Sequence, residues 1–195
     1  MPTLMGAIII YANPVRFAKV PSLIMLVLAI LTIGFPLFSV LLMKWLGFID
    51  SFEMKDKKER FIPMIAIATF LLWTYFMFRP GTNTLTSSDP LLGNMLLGCV
   101  AAIFIAFPFY SVLKVSFHTI GMGGVIGMLF NMMPYTDFNV TGILIAAILV
   151  AGLVGTARLY LNAHSEREVF YGYAIGFFGQ FFAYNMFDRI ASFFG

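Results

Sequence analysis

Residues 21–46 read PSLIMLVLAILTIGFPLFSVLLMKWL, and this run contains a single charged side chain, Lys44. A transmembrane helix needs about 20 predominantly apolar residues to cross the hydrocarbon core of a bilayer. The run exceeds that length in a chain of 195 residues that is 61% hydrophobic and 11% charged. Soluble domains are typically about 25% charged. The composition therefore predicts an all-α, polytopic membrane protein.

Further apolar runs lie on the C-terminal side of residues 21–46. They are residues 61–78, 91–115, 119–133, 140–161 and 169–187. Together with residues 21–46, they predict a transmembrane helical bundle of about six membrane-spanning helices within one domain, 1–195. Toward the N-terminus, the apolar residues 3–12 are too few to span. Residues 1–20 are therefore predicted to be a short apolar or interfacial segment, or the tail of a longer helix, and 21–195 the core.

The composition also disfavours several function classes. The net charge of +3 provides no basic surface large enough for nucleic acid. The single cysteine, Cys99, lies inside an apolar run and is predicted to pack as a small hydrophobe. Two histidines without cysteine partners or a His-Glu-x-x-His pattern do not provide a catalytic zinc set, so no metal and no cofactor are predicted. A serine nucleophile is disfavoured because no Gly-x-Ser-x-Gly turn occurs.

The unusual polar side chains lie at junctions between the apolar runs. Two crossings, residues 61–78 and 91–115, would return the chain to the side of the charged loop at 55–60 and bring His118 there. The next two runs would bring Arg158 and His164 to the same side. Ionisable groups at such positions usually mark functional sites. We therefore expect one binding or catalytic site on one face of the membrane.

The chemistry of the second junction depends on His164 and Glu168. Four residues apart on a helix, they share a face, and a carboxylate bound to one imidazole nitrogen leaves the other basic. An ion pair that only caps a helix is the alternative, and the residues leave both open. Arg158 could bind phosphate or extend to lipid headgroups.

The first junction places Ser116 and His118 before a glycine-rich run, residues 121–127. Backbone N–H groups at a helix start favour an anion, and the two side chains can add a donor and a proton carrier. The glycines themselves favour close helix packing. Two histidines with basic side chains fit phosphoryl transfer through a histidine nucleophile.

The segment Arg158-(five residues)-His164-(three residues)-Glu168 resembles the third signature, Ser-Arg-x5-His-x3-Asp, of the type 2 phosphatidic acid phosphatase superfamily. Ser116-Phe117-His118-Thr119 resembles its second signature, Pro-Ser-Gly-His. The resemblance implies a metal-independent lipid-phosphate phosphatase. In this chain, it implies that His164 is the nucleophile, Glu168 orients it, and His118 protonates the leaving group.

The resemblance also implies a set of groups that hold the phosphoryl oxygens, namely Arg158, Ser116 and a basic residue of the first signature, Lys-x6-Arg-Pro. That signature is absent as such, because Glu53 stands where its lysine would be. Arg60, helped by Lys57 or Lys58, is the expected substitute. Read alone, these lysines are a solvated loop. Other departures occur in the remaining two signatures. In the third, Ala157 and Glu168 replace Ser and Asp, and in the second, Val115 and Phe117 replace Pro and Gly.

The expected partners are the lipid bilayer and a lipid phosphate in a bacterial cytoplasmic membrane. Phosphatidic acid, phosphatidylglycerol phosphate, a polyprenyl phosphate or diphosphate, and a phosphorylated glycolipid all remain open. The alternative is a non-catalytic protein that binds or transports anionic lipid. The distribution of lysine and arginine predicts that the site is cytoplasmic, whereas the resemblance, which we prefer, implies the opposite face. The sequence leaves the oligomeric state open.

Overall fold

The computed structural model describes residues 1–17, 20–47, 57–78 and 90–194, and it describes side chains for 1–17, 20–47, 62–78, 90–109 and 113–186. Within this part of the chain, every regular element is helical. The helices are α1 (Pro2–Ala12), α2 (Pro21–Trp45), α3 (Lys57–Phe78), α4 (Pro90–Val112), α5 (Phe117–Met132), α6 (Thr141–Tyr160) and α7 (Glu166–Phe194). A π-helical turn, Ile30–Gly34, interrupts α2. The all-α prediction is confirmed.

Three helical segments are long and apolar enough to cross a membrane. They are Pro21–Trp45, Pro90–Phe109 and Thr141–Tyr160. Two further apolar helical segments, Pro2–Ala12 and Ile62–Phe78, are shorter. The prediction of membrane-spanning helices is thus supported for three segments, and the arrangement of six crossings stays a prediction.

The N-terminal helix α1 packs against the bundle core. Met5 and Ile9 are almost fully buried and belong to the main core cluster, together with Leu28 of α2 and Leu92 of α4. Leu4 and Tyr11 of the same helix are exposed, so α1 covers the core with one side only.

The C-terminal helix α7 is the central element, and it packs most extensively against α5 and α4. Gly172 and Gly176 face α5, and a Cβ atom on Gly176 would collide with the carbonyl oxygen of Ile120. Gly179 faces Ala102 of α4, where a Cβ atom would lie 2.9 Å from its Cβ. Small residues let two helix backbones approach closely in a membrane. The glycines that the sequence predicts as packing residues, at 121–127, include Gly123 and Gly127, whose Cβ atoms would collide with the backbone of α7, so that prediction is confirmed.

Two predicted boundaries are wrong. The charged segment 55–60 was expected to be a loop, but α3 begins at Lys57, so Lys57, Lys58 and Arg60 belong to its first helical residues. The span expected at 91–115 ends earlier, because α4 stops at Val112 and residues 113–116 are not helical. Pro108 does not end the helix, which continues for one more turn. The irregular residues 113–116 carry one half of the candidate site.

Candidate functional site

The first half of the site is the short connection between α4 and α5. Ser116 has an extended backbone and precedes the first residue of α5. Its carbonyl oxygen accepts from the N–H of Ile120 at 3.0 Å and from Oγ1 of Thr119 at 2.9 Å. Both donors belong to the first turn of α5. They fix the carbonyl of Ser116, so the side chains of Ser116 and His118 lie at the start of that helix.

The second half begins with the C-terminus of α6, which ends in a Schellman motif. Asn162 has a positive φ of 49°, and its N–H donates to the carbonyl oxygen of Leu159 at 3.0 Å. The N–H of Ala163 donates to the carbonyl oxygen of Arg158 at 3.1 Å. Asparagine tolerates the left-handed conformation that this motif requires. The chain therefore reverses tightly and carries His164 back toward the last turn of α6, where Arg158 lies.

The start of α7 has one of the two hydrogen bonds of a capping box, between Glu168 and the backbone of Ser165. Oε2 of Glu168 accepts from the backbone N–H of Ser165 at 3.0 Å and lies 3.2 Å from Nδ1 of His164. Oε1 of the same carboxylate accepts from the backbone N–H of Lys114 at 3.2 Å. A glutamate at this position commonly returns to the N–H of the capping residue. The sequence leaves open whether Glu168 caps the helix or orients the imidazole of His164. In the structure, its carboxylate contacts both groups.

Glu168 also joins the two halves of the site, because Lys114 belongs to the α4–α5 connection and His164 to the α6–α7 connection. The His164 and Glu168 side chains are only 14% and 16% exposed. No described residue donates to or accepts from Nε2 of His164. With Nδ1 donating to a carboxylate, Nε2 is the basic nitrogen.

Two titratable groups at the helix starts have shifted pKa values, and both precede the segments predicted to span, 119–133 and 169–187. Partial burial raises the pKa of Glu168, but the hydrogen bonds from Ser165, His164 and Lys114 outweigh it and hold the pKa below its ordinary value. Its carboxylate is therefore ionised near neutral pH.

The pKa of His118 is lowered. Much of the side chain is exposed, yet the surrounding protein removes part of its hydration, which is the main cause. The positive charge of Arg158 and the nearby His164 act in the same direction. His118, Arg158 and His164 therefore lie close enough for their charges to interact, although they come from two different connections.

Two polar atoms at the site are buried without a hydrogen-bond partner, Oγ of Ser116 and Nε of Arg158. Ser116 is 0% exposed. Leaving a buried polar group unsatisfied costs about 1–3 kcal/mol. The hydroxyl is a donor as well as an acceptor, and the guanidinium N–H is a donor only. Both can donate to an anion, whose oxygens are acceptors.

The structure thus brings together Ser116, His118, Arg158, His164 and Glu168 from the predicted site. The side chains of Arg60, Lys57 and Lys58 lie outside the described residues. The sequence interpretation missed the backbone N–H groups of Lys114 and Ser165. The Ser-x-x-Glu pattern at 165–168 could have revealed the second of these, but nothing in the sequence indicates the first. Among the described residues, no group of three His, Cys, Asp or Glu side chains could hold a metal ion.

Comparisons of this chain with protein-family models, with curated proteins and with solved structures find no match. The resemblance to the phosphatase superfamily therefore rests on the two sequence motifs alone.

Proposed function

We propose that this protein is a metal-independent lipid-phosphate phosphatase that works through a phosphohistidine intermediate. The observation that carries the proposal is the carboxylate of Glu168. It accepts from His164 and from the backbone of Lys114, so it aligns a nucleophilic imidazole with the segment that bears Ser116 and His118. The unpartnered atoms of Ser116 and Arg158 support a phosphate between these segments.

In the first step, Nε2 of His164 attacks phosphorus. The N–P bond forms while the P–O bond to the lipid breaks, and His118 gives its proton to the departing alkoxide. Glu168 stabilises the positive charge that develops on the imidazole of His164. Arg158 and Ser116 donate to the phosphoryl oxygens, where preorganised donors are most effective. Arg60, with Lys57 or Lys58, is proposed to complete this set of donors.

The second step returns the enzyme to its starting state. A water attacks phosphorus, neutral His118 accepts the proton of that water, and the N–P bond breaks to release phosphate. The lowered pKa keeps His118 neutral, which is the form that can accept this proton. In the first step, the bound phosphate dianion offsets the charge of Arg158, which raises the pKa of His118 and favours its protonated form.

The proposal includes a membrane arrangement in which α2 to α7 cross the bilayer six times. The starts of α5 and α7 and the end of α6 then lie on one face, where a lipid phosphate has its headgroup. A bacterial cytoplasmic membrane, with the site facing away from the cytoplasm, is the proposed location. The class of substrate is a phosphomonoester or diphosphate of a membrane lipid.

The test is phosphate release from a panel of lipid phosphates by the detergent-solubilised protein, with chelator present. His164→Ala should abolish release, while His118→Ala should slow it and allow a phosphorylated protein to be trapped from a substrate with a good leaving group. Arg167→Ala, at an exposed position beside the site, is the matched control. Release that is unchanged in His164→Ala would refute the mechanism.

The alternative, a protein that binds or transports anionic lipid without turnover, has its support in the absent first signature. It predicts saturable binding of lipid phosphates without release of phosphate from any of them. In that case, vanadate would bind with equal affinity to the wild-type protein and to His164→Gln. A phosphatase that forms a phosphohistidine would lose vanadate affinity in this variant.

A further inference from the structure

An apolar groove of about 350 Å³ lies between α6 and α7, and α5 also contributes to its lining. Phe170 is 68% exposed and Ile148 51% exposed, so the groove opens on the outer surface of the bundle. Where α6 and α7 cross a bilayer, this opening faces lipid. We call it the α6–α7 groove, and its lining residues include Ile126, Ile148, Gly152, Phe170, Tyr173 and Phe177.

The chemistry of the α6–α7 groove matches a hydrocarbon chain. Among its described lining residues, the one polar side chain is that of Tyr173, and its hydroxyl already donates to the carbonyl oxygen of Ala151. The other lining residues are isoleucine, phenylalanine, alanine and glycine. Cavities with such walls hold apolar molecules rather than water.

The groove continues from the phosphate site along the same face of α6. Ala151, Gly155 and Arg158 are spaced i, i+4 and i+7, so they share one face of the helix. Ala151 lines the groove, and Arg158 carries the unpartnered Nε. At about 1.5 Å per residue, they lie about 10 Å apart along α6, a distance that the linker and first carbons of a lipid phosphate can span. On α7, Phe170 lines the groove and also a surface pocket with Glu166 at the start of that helix, so the groove reaches the level of the site.

We propose that the α6–α7 groove binds the hydrocarbon chain of the lipid whose phosphate is held by Arg158 and Ser116. The inference rests on the proposed function and adds two points to it. The substrate carries a long alkyl or acyl chain, and it enters the site from the bilayer, between α6 and α7. An ordinary bilayer lipid in the same groove would have no need of a phosphate, and this difference separates the two occupants.

Gly152 is the position at which the groove can be filled while the bundle stays intact. It lines the groove, and a Cβ atom there would have nothing within 4 Å. Gly142, on the same helix, has equally open surroundings and does not line the groove. Leucine is a good helix former, so it is compatible with α6 at both positions. The variants Gly152→Leu and Gly142→Leu therefore form a matched pair that differs in the filling of the groove.

The first measurement compares two substrates in detergent, hexadecyl phosphate, whose chain can occupy the groove, and 4-nitrophenyl phosphate, which has no chain. Gly152→Leu should raise the KM for hexadecyl phosphate about 5-fold relative to the KM for 4-nitrophenyl phosphate, as for the loss of on the order of ten van der Waals contacts. Gly142→Leu should keep the wild-type ratio of the two KM values. A wild-type ratio in Gly152→Leu would overturn the proposal, whereas hydrolysis of neither substrate by the wild type would refute the proposed function.

The second measurement tests the groove without turnover. A hexadecylphosphonate that carries a diazirine in its chain cannot be hydrolysed, and it is used to label the full chain in nanodiscs, with labelled peptides mapped by mass spectrometry. Labels should fall in the groove-lining segments 148–152 and 170–177, and they should decrease in Gly152→Leu but not in Gly142→Leu. Unlabelled hexadecylphosphonate should compete for the groove, and hexadecanol should not. Equal competition by hexadecanol would assign the groove to ordinary bilayer lipid and overturn the proposal, as would equal labelling of Gly152→Leu and the wild type.

Discussion

Helix α7 packs against α5 and α6 in opposite ways. Against α5, it packs backbone to backbone, since a Cβ atom on Gly123 would collide with the carbonyl oxygen of Tyr173. Against α6, the contact is made by side chains, including a hydrogen bond from the hydroxyl of Tyr173 to the carbonyl oxygen of Ala151. An apolar cavity of about 350 Å³ lies beside this second contact. In an 18-residue stretch of α6, only 17% is buried, against 61% in a stretch of the same length in α4.

The difference shows which helix contacts fix the positions of the site residues. The close α5–α7 contact fixes Ser116 and His118 relative to His164 and Glu168, because each pair begins one of these two helices. Arg158 belongs to α6, and the tight reversal at Asn162 connects it to His164. We therefore expect the position of the two histidines to be rigid and that of Arg158 to adjust when an anion binds.

The largest expected effect comes from filling the α5–α7 contact. Gly176→Leu should prevent folding, because its Cβ atom would meet the carbonyl oxygen of Ile120 and the backbone N of Gly124. Overpacking typically costs about 1–3 kcal/mol, and here backbone would have to move. Gly152→Leu on α6, where nothing lies within 4 Å, should fold normally. Size-exclusion chromatography and thermal unfolding in detergent measure the folding and stability of the two variants. Equal stability would contradict the difference between the α5–α7 and α6–α7 contacts.

The next effect concerns the carboxylate that links the two connections. Glu168→Gln should lower the rate of phosphate release about 10²-fold, because the imidazole of His164 loses its charged partner. The control is Glu166→Gln, an exposed position in the first turn of the same helix. Steady-state kinetics on one lipid phosphate measure the rate of phosphate release by each variant. A similar loss in both variants would assign the effect to the helix start as a whole.

A smaller effect is expected at Ser116. Ser116→Ala removes a buried hydroxyl that has no partner, so the thermal stability should stay the same or rise slightly. The affinity for vanadate should fall about 3- to 10-fold, as for the loss of one hydrogen bond. Thr119→Val is the matched variant, because it removes the bond to the carbonyl of Ser116 and should lower stability instead. The reverse pattern would exclude Ser116 from the phosphate site.

The smallest effect is a change in the titration of His118. Its pKa should lie below the ordinary value of about 6.5 and should rise in Arg158→Gln, which removes a positive neighbour. Because the folded pKa is the lower one, the unfolded chain takes up the proton first. His118 therefore reduces stability as the pH falls from the unfolded toward the folded pKa.

Histidine-selective isotope labelling and NMR would follow this titration. The control is Arg167→Gln, at an exposed position outside the described contacts of His118, which should leave the pKa unchanged. If Arg158→Gln also leaves it unchanged, Arg158 does not act on His118 and the two connections are less closely associated than the structure indicates.

Much of the site could be predicted because its pattern is local. His164 and Glu168 are four residues apart at a helix start, so their contact follows from helix geometry. The glycines at 121–127 likewise lie close together in one short segment, which favours close packing with a neighbouring helix. The contact between Glu168 and the N–H of Lys114 joins residues 54 positions apart, and no local pattern specifies it.

The sequence by itself determined that the chain is helical and rich in segments able to cross a membrane, since these properties depend on the length and polarity of each segment. Only the tertiary structure decided that α1 packs against the bundle core, that α4 ends at Val112, and that Oε1 of Gln180 is buried without a partner. The physical reason is that these features arise from contacts between distant segments. A hydrogen bond or a cavity between helices depends on how whole helices pack, and the composition of one segment cannot specify it.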